Sequence, residues 1–373
     1  MKHEVLRRYL QRLAFKVGGF RPGTTLNYID CFSGPWDAEK DDHGDSSPAI
    51  AMRELANARY ALAKTKPMSV RAMFVERDPA AYDRLRALCE RAPVEATTFH
   101  GKFEDHVADA VKFAKGGPNP FAFAFIDPTG WTGFGLQKIA PLLRVQLSEV
   151  LINFMWGHIG RFIDDEESSA EASFDALLGE DASAYRGRWQ SLEGLDREDE
   201  IVRTYCERVR VVGGFRYCVS TVIVNPTIDR THYHLVYATR SPVGLLTFRA
   251  TEREVTPLQR DARARAKLRK SEAKTGQLGL LAPVEMDTDY FQTLVDRYHT
   301  KARAAVEAAL VVGREVPYDA LVDVALAWPM TSEADLKAWV VELAASGHVE
   351  LIGLAPRGRV PQFDSRHSIR RIR

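Results

Sequence analysis

Three largely apolar runs in the first half of the chain each end in an acidic residue. They are 26–29 before Asp30, 71–75 before Glu76 and 121–126 before Asp127. Short continuous apolar stretches bounded by turn formers are typical of strands buried on both faces of a parallel sheet. Ligands of such sheets bind beyond the carboxyl ends of the strands, which is where the three acids fall. The pattern therefore predicts an α/β protein with a ligand site at that edge.

Segments of helical and turn-forming composition separate these runs along the chain. The alternation predicts a doubly wound, Rossmann-like domain. We expect its strands at 26–30, 71–76, 94–99, 121–126 and 149–154, and helices at 4–18, 48–63 and 79–91. A polar, helical insertion is expected at about 160–210. Strands at 217–224 and 232–238 would close the sheet as an antiparallel pair, with 245–248 extending the second strand or pairing with it.

The C-terminal part of the chain predicts a second, smaller domain. Helices are expected at 290–312, 318–327 and 331–347, and two strands follow at 348–354 and 360–363. Three helices followed by a β-hairpin are the order of a winged helix, a fold that commonly contacts DNA or RNA. A winged helix that serves protein interaction or dimerisation is the alternative. The predicted boundaries are 1–250 for the α/β domain, 251–282 for a basic helix and linker, and 283–373 for the winged helix.

The composition is that of a globular protein in a reducing compartment. Of the 373 residues, 45% are hydrophobic and 27% are charged, as in average globular domains. No apolar run approaches the roughly 20 residues that span a bilayer, and no signal peptide is recognisable. The four cysteines show no metal-ligand spacing. We therefore expect reduced thiols, no metal site, no membrane association and a cytoplasmic location.

Basic residues are concentrated in two segments, although the net charge is only +1. Between 249 and 274, nine Lys and Arg residues stand against four acids, and between 357 and 373 six Arg residues stand against one Asp. Segregated positive charge suits a polyanionic partner, and a solvated surface helix would have the same composition.

The residues at the ends of the first three strands are candidates for binding a nucleoside cofactor. Asp30 can face a positive sulfonium or amino group, and the turn that follows, with Phe32 and Gly34, lets the backbone approach the cofactor. Glu76 can accept both hydroxyls of a ribose. After the third strand, Phe103 can cover an adenine, and Glu104 or Asp105 can bond to its amino group. The alternatives are an ordinary turn at Gly34 and helix capping at Glu76 and Glu104.

The segment 127–131, Asp-Pro-Thr-Gly-Trp, is the candidate site for a methyl acceptor. Methylation of an amino group needs an acceptor for the N–H, a rigid turn, and an aromatic face on which a flipped base can stack. Asp127, Pro128 and Trp131 could supply these three features. A turn that merely lines the cofactor pocket is the alternative.

Several motifs in one order resemble the three-Cys-motif partner family. They are 28–35 (YIDCFSGP), 47–48 (SP), 74–76 (FVE), 126–130 (IDPTG), 150–154 (VLINF) with Arg161, and 232–239 (HYHLVYAT). The resemblance covers about residues 1–250. It implies a fold similar to Rossmann-like methyltransferases that use S-adenosylmethionine, a C-terminal winged helix, and a partner of the three-Cys-motif, radical-SAM iron–sulfur type.

The sequence thus supports two hypotheses on function. The first is an S-adenosylmethionine-dependent methyltransferase that acts on nucleic acid, with a base amino group as a candidate acceptor. The second is a non-catalytic nucleic-acid-binding adaptor that partners the iron–sulfur protein. A metal-dependent nuclease is less favoured, because the acids lie on separate strands without metal-ligand spacing. In the first two cases the phosphates would be contacted by basic residues of the helix and the wing: Arg263, Arg265, Lys267, Arg269, Lys270, Arg357 and Arg359.

Overall fold

A computed structural model describes residues 1–20, 23–34, 46–130, 133–162, 168–275, 288–355 and 358–372. The predicted site residues Trp131 and Arg357 and the predicted linker at 276–283 lie outside these ranges. The strands are β1 (Thr25–Asp30), β2 (Ser69–Glu76), β3 (Glu95–His100), β4 (Pro120–Ile126), β5 (Ser148–Phe154), β6 (Tyr217–Val224), β7 (Thr231–Thr239), β8 (Glu315–Pro317), β9 (Val349–Ile352) and β10 (Ser368–Arg371).

Helices separate β1 to β6 from one another along the chain, as the alternation predicts. They are α1 (Lys2–Phe20), α2 (Ser47–Leu62), α3 (Pro79–Cys89), α4 (Val107–Ala114), α5 (Leu136–Leu143), α6 (Trp156–Phe162), α7 (Ser168–Leu178), α8 (Ser183–Gln190), α9 (Gly194–Gly213), α10 (Pro242–Thr275), α11 (Thr288–Ala309), α12 (Tyr318–Leu326) and α13 (Glu333–Ala345). A single 3₁₀ turn, Phe103–His106, precedes α4. No helix in the described part of the chain is long and apolar enough to cross a membrane.

The described residues form a seven-stranded mixed sheet in the order β3-β2-β1-β4-β5-β7-β6. Strands β3, β2, β1, β4 and β5 run parallel, and β7 runs antiparallel to β5. Asp30 pairs with Phe74 on one side and Phe125 on the other. This register brings the carboxyl ends of β1, β2 and β4 to one edge. The predicted α/β class is confirmed, and the sheet is consistent with a Rossmann-like fold.

Both faces of the sheet are covered, which explains why its strands are so apolar. On one face α1 packs over the aromatic side chains of the central strands. The Tyr9 ring lies 5.6 Å from that of Phe123 and 5.1 Å from that of Tyr237, and Tyr28 stacks on Phe123 at 6.2 Å. On the other face, Ile29, Met73, Ala124 and Ile152 pack in a core with residues of α4, α5 and α9. The apolar side chains at positions 5, 6, 9, 10, 13 and 17 of α1 are buried, and they lie on one face of the helix.

The chain divides into two compact units. Unit 1 contains 1–218 and 231–247, and unit 2 contains 219–230 and 248–373. Within unit 2, α11, α12 and α13 accompany an antiparallel sheet in the order β8-β10-β9. A capping box of Ser332 and Asp335 begins α13.

Two predicted strands are wrong. Residues 245–248 lie in α10 instead, because Leu245 and Phe248 are three apart and both buried, a spacing that suits one face of a helix. The strand predicted at 360–363 is absent among the described residues, where Val360 is exposed and the pairing strand is β10, with Ile369 buried. The three-residue strand β8 was not predicted, because so short a segment carries no periodicity.

Candidate functional site

A cavity of about 630 Å³ lies beyond the carboxyl ends of β1, β2, β3 and β4 in unit 1. Its volume lies within the roughly 300–1,000 Å³ that is typical of ligand pockets. The residues predicted from the sequence that line it are Phe32, Gly34, Glu76, Phe103, Glu104 and Pro128. The structure therefore brings together residues that are up to 96 positions apart in the chain, counted from Phe32 to Pro128.

Glu76 closes β2 and is buried, with 8% of its surface exposed. Its Oε1 accepts the backbone N–H of Asp78 at 2.7 Å, and the Asp78 side chain in turn caps α3 through the N–H of Ala81 at 2.8 Å. These bonds orient the Glu76 carboxylate at the wall of the cavity. A carboxylate has about four acceptor positions, so the group keeps the capacity to accept the two hydroxyls of a ribose.

Aromatic side chains form one wall of the cavity. The Phe32 ring lies 5.8 Å from that of Phe103 and 6.4 Å from that of Phe134. Phe103 is buried at the start of the 3₁₀ turn. The turn after β1 is held by the N–H of Ser33, which donates to the Val75 carbonyl at 2.9 Å. Phe32 and Phe103 line the cavity and offer apolar aromatic surface to a nucleobase, beside the backbone of Gly34.

Gly101 is a cavity residue that the sequence reasoning missed. Its N–H donates to the Glu76 carbonyl at 2.9 Å, and its φ of +146° is a conformation that other residues rarely adopt. A Cβ at this position would lie 2.9 Å from Nε2 of His106. A glycine two residues after a predicted strand is the signal that could have identified it. Lys102, Arg77 and Arg84 also line the cavity and were not predicted.

Glu104 was predicted to contact the adenine, and Pro128 was predicted to form the turn at the acceptor site. The two residues lie in different environments. Glu104 is half-buried at the cavity and accepts Lys138 Nζ at 2.7 Å, an ion pair whose lysine is 65% exposed. Pro128 lines the cavity together with Thr129 and Gly130. Such a surface ion pair contributes only about 0–1 kcal/mol, so Glu104 can exchange its partner for a ligand group at little cost.

Asp30 is fully buried and is not among the described residues that line the cavity. Its carboxyl accepts the Ser47 hydroxyl at 2.8 Å and the Phe32 N–H at 3.2 Å. Burial raises the pKa of this carboxyl to about 7, and the nearby charge of Asp127 acts in the same direction. The group thus supports the turn after β1 and changes its protonation near neutral pH.

Asp127 follows β4 and is likewise not a lining residue of the described cavity. Its Oδ1 accepts Nδ2 of Asn153 at 2.7 Å, and its Oδ2 forms an ion pair with Lys2 of α1. Asn153 stands on β5, the neighbouring strand, and Lys2 begins the first helix. Neither residue was predicted as part of the site. No sequence signal links residues 2, 127 and 153.

The basic helix α10 presents two different sets of cations. Arg263 is buried, and its guanidinium donates to the carbonyls of Asn225 and Ile228 and pairs with Asp229 at 2.7 Å. Lys267 also pairs with Asp229 at 2.7 Å. Arg263 was predicted to contact phosphates. This position does not fit that prediction, because its guanidinium is buried and paired with Asp229 within unit 2. Arg265, Arg269, Lys270 and Arg359 are exposed.

Compared with known proteins, the chain matches no family model and no curated sequence. Within the described residues, no three His, Cys, Asp or Glu side chains lie close enough together to hold a metal ion. The four cysteines, all of them described, are free thiols.

Proposed function

We propose that this protein is an S-adenosylmethionine-dependent methyltransferase that acts on nucleic acid. The observation that carries the proposal is the buried Glu76 at the end of β2, in a cavity that also contains Gly34 and Phe103. An acid at this position of an α/β sheet is suited to a ribose, and the aromatic wall is suited to a base. S-adenosylmethionine would supply a methyl group on a positively charged sulfur.

The residues present fit that cofactor. Glu76 would accept the ribose hydroxyls, Phe103 would cover the adenine, and the backbone at Gly34 would allow close approach of the remainder. The antiparallel strand β7 beside β5 adds support, because a parallel sheet closed by an antiparallel strand is typical of methyltransferases of this type. The enzyme's own contribution would be to position the acceptor for in-line transfer and to accept its proton.

Unit 2 supports a nucleic-acid substrate. Its order of helix, strand, two helices and two strands is compatible with a winged helix. The exposed Arg265 and Arg269 lie four residues apart on α10, hence on one face of the helix. We infer that these side chains, with Lys270 and Arg359, contact the phosphates.

Calorimetric titration with S-adenosylhomocysteine tests the cofactor site. Wild type is expected to bind, and Glu76→Ala to bind at least about tenfold more weakly, since one charged hydrogen bond contributes about 1.5–3 kcal/mol. Glu95→Ala is the matched control, because Glu95 is 61% exposed at the amino end of β3, whereas the cavity lies at the carboxyl ends of the strands. No binding by wild type, or equal binding by the two variants, would refute the assignment.

Salt dependence tests the nucleic-acid surface. For binding to a double-stranded DNA oligonucleotide, replacing both Arg265 and Arg269 by Gln is expected to reduce the slope of log K against log salt by about 2, if each contacts one phosphate. Arg86→Gln is the control, on an exposed side chain of α3. An unchanged slope in the double variant would show that Arg265 and Arg269 do not contact the phosphates.

The non-catalytic adaptor is the second candidate function, and one observation favours it. Both oxygens of Asp127 are engaged by groups of the same chain, Asn153 and Lys2. An adaptor that partners a three-Cys-motif, radical-SAM iron–sulfur protein needs no free acceptor at this position. Nucleic-acid binding without S-adenosylhomocysteine binding would favour the adaptor over the enzyme.

A further inference from the structure

The Asp127 carboxylate is surrounded by nitrogen groups of the chain itself. Asn153 donates to Oδ1, and the Lys2 ammonium pairs with Oδ2. The Asp127 side chain is 11% exposed and that of Lys2 is 24% exposed. A primary ammonium group thus already occupies the oxygen that an amino-group acceptor would use, which indicates the kind of group that this position binds.

The orientation of the Asn153 amide follows from the same contact. A carboxylate can only accept, so the amide NH₂ must face Asp127. The second amide hydrogen points to Sδ of Met155, at a distance of 3.1 Å from the nitrogen. The amide oxygen, Oδ1, is buried and accepts no hydrogen bond from the described residues. A buried acceptor without a donor is unfavourable, and a ligand that donates to it is one way in which such a group is satisfied.

We propose that Asp127 and Asn153 form an amine-binding subsite, in which Lys2 stands in for the amino group of the acceptor and leaves when the acceptor binds. This inference rests on the proposed methyltransferase function. An exocyclic amino group has two hydrogens, one for Oδ2 of Asp127 and one for Oδ1 of Asn153. Adenine and cytosine carry such a group, whereas thymine has only a ring N–H between two carbonyls.

Lys2 is suited to leaving because α1 is held to the sheet at another residue. The Tyr9 hydroxyl of α1 donates to the Glu149 carboxylate on β5 at 2.5 Å, so the helix stays anchored when the Lys2 side chain moves. The four-carbon stem of lysine is flexible, and its ammonium can exchange one partner for water. Displacement therefore requires a side-chain rotation and no rearrangement of the helix.

The test measures transfer of the tritiated methyl group of S-adenosylmethionine to single-stranded oligo-dA, oligo-dC and oligo-dT. We expect transfer to oligo-dA or oligo-dC and none to oligo-dT. Lys2→Met should lower KM for the methylated oligonucleotide about fivefold, the factor that corresponds to a competing ion pair of about 1 kcal/mol. Affinity for S-adenosylhomocysteine should not change. Lys16→Met is the matched control on the exposed side of α1 and should leave both quantities unchanged.

Asn153→Leu, which keeps the side-chain size without the oxygen, should reduce transfer at least about tenfold while cofactor affinity is retained. Because Asn153 is buried, thermal unfolding of the Asn153→Leu variant is measured first. If that variant does not fold, the KM of Lys2→Met decides, because Lys2 is partly exposed at the start of α1. Equal transfer to oligo-dT, an unchanged KM in Lys2→Met, or cofactor binding without transfer to any of the three oligonucleotides would overturn the inference.

A separate measurement distinguishes failure of the inference from failure of the proposed function. If wild type does not bind S-adenosylhomocysteine, the proposed function fails, but acetic anhydride labelling of Lys2, read by mass spectrometry, still reports on the subsite. Faster labelling of Lys2 in the presence of oligo-dA than of oligo-dT supports displacement. Equal labelling in both overturns it.

Discussion

Asp30 makes the stability of the fold depend on pH in an unusual direction. Its carboxyl is fully buried, and burial raises its pKa from 3.8 to about 7. In the folded state the group therefore keeps its proton up to about neutral pH, whereas the unfolded chain loses it near pH 4. Between these values the folded state binds the extra proton, so the free energy of unfolding decreases as pH rises.

The magnitude follows from the pKa difference. Each pKa unit corresponds to about 1.36 kcal/mol, so the contribution of Asp30 falls by about 4 kcal/mol in total. About 2 kcal/mol of this falls between pH 5 and pH 7, because the folded-state carboxyl is already half ionised at pH 7. Asp30→Asn removes the titration and keeps the shape of the side chain. We expect the stability of wild type relative to Asp30→Asn to decline by that amount over this interval and to level off above pH 8.

Urea unfolding at pH 5, 6, 7 and 8, followed by tryptophan fluorescence, measures this difference. Asp83→Asn is the control, since Asp83 is 72% exposed on α3. Its free energy of unfolding, plotted against pH, should run parallel to that of wild type. Parallel curves for wild type and Asp30→Asn would refute the reasoning, because they would show that the Asp30 carboxyl ionises equally easily in the folded and unfolded states.

Two further substitutions test the packing of each unit. Arg249 is buried in unit 2, where it donates to the carbonyls of Leu326 and Ser220 and pairs with Glu252 at 2.6 Å. Arg249→Met should therefore lower the free energy of unfolding, measured with urea, by about 3–5 kcal/mol. Adding Glu252→Gln to that variant should restore part of the loss, because it removes the buried charge left without its partner. Gly101→Ala should cost about 1–2 kcal/mol because of its positive φ and should weaken S-adenosylhomocysteine binding, whereas Gly187→Ala, in α8 with no atom near the new Cβ, should do neither. Wild-type stability of Arg249→Met would contradict the role given to its ion pair with Glu252. Wild-type stability of Gly101→Ala would contradict the need for glycine at that positive φ.

The sequence predicted the strands of the large sheet to within two residues, apart from the segment at 245–248. It did so because a strand buried on both faces must be apolar along its whole length, as β4 is, and because polar residues follow where the strand ends. The same pattern located Gly34, Glu76 and Phe103, which the structure brings to one cavity. Their chain positions mark the ends of parallel strands, and parallel strands share their carboxyl edge.

The environment of each charged residue could not be predicted in this way. Composition identified α10 as basic, but only the structure separates the buried Arg263, clamped to Asp229, from the exposed Arg265. Asp30 was expected beside the cofactor, and packing instead directs its carboxyl to the Ser47 hydroxyl. A local pattern indicates that a residue is buried, but its bonding partner comes from a distant part of the chain.

The sequence by itself determined the identity and order of the elements of the large sheet, because periodicity and turn chemistry are local properties of the chain. Tertiary structure alone decided that Lys2 meets Asp127 beside Asn153. Those three residues come from α1, the end of β4 and β5, and they meet only because α1 packs across the sheet and β4 pairs with β5. Contacts between elements depend on how their buried faces fit together, which no single segment encodes.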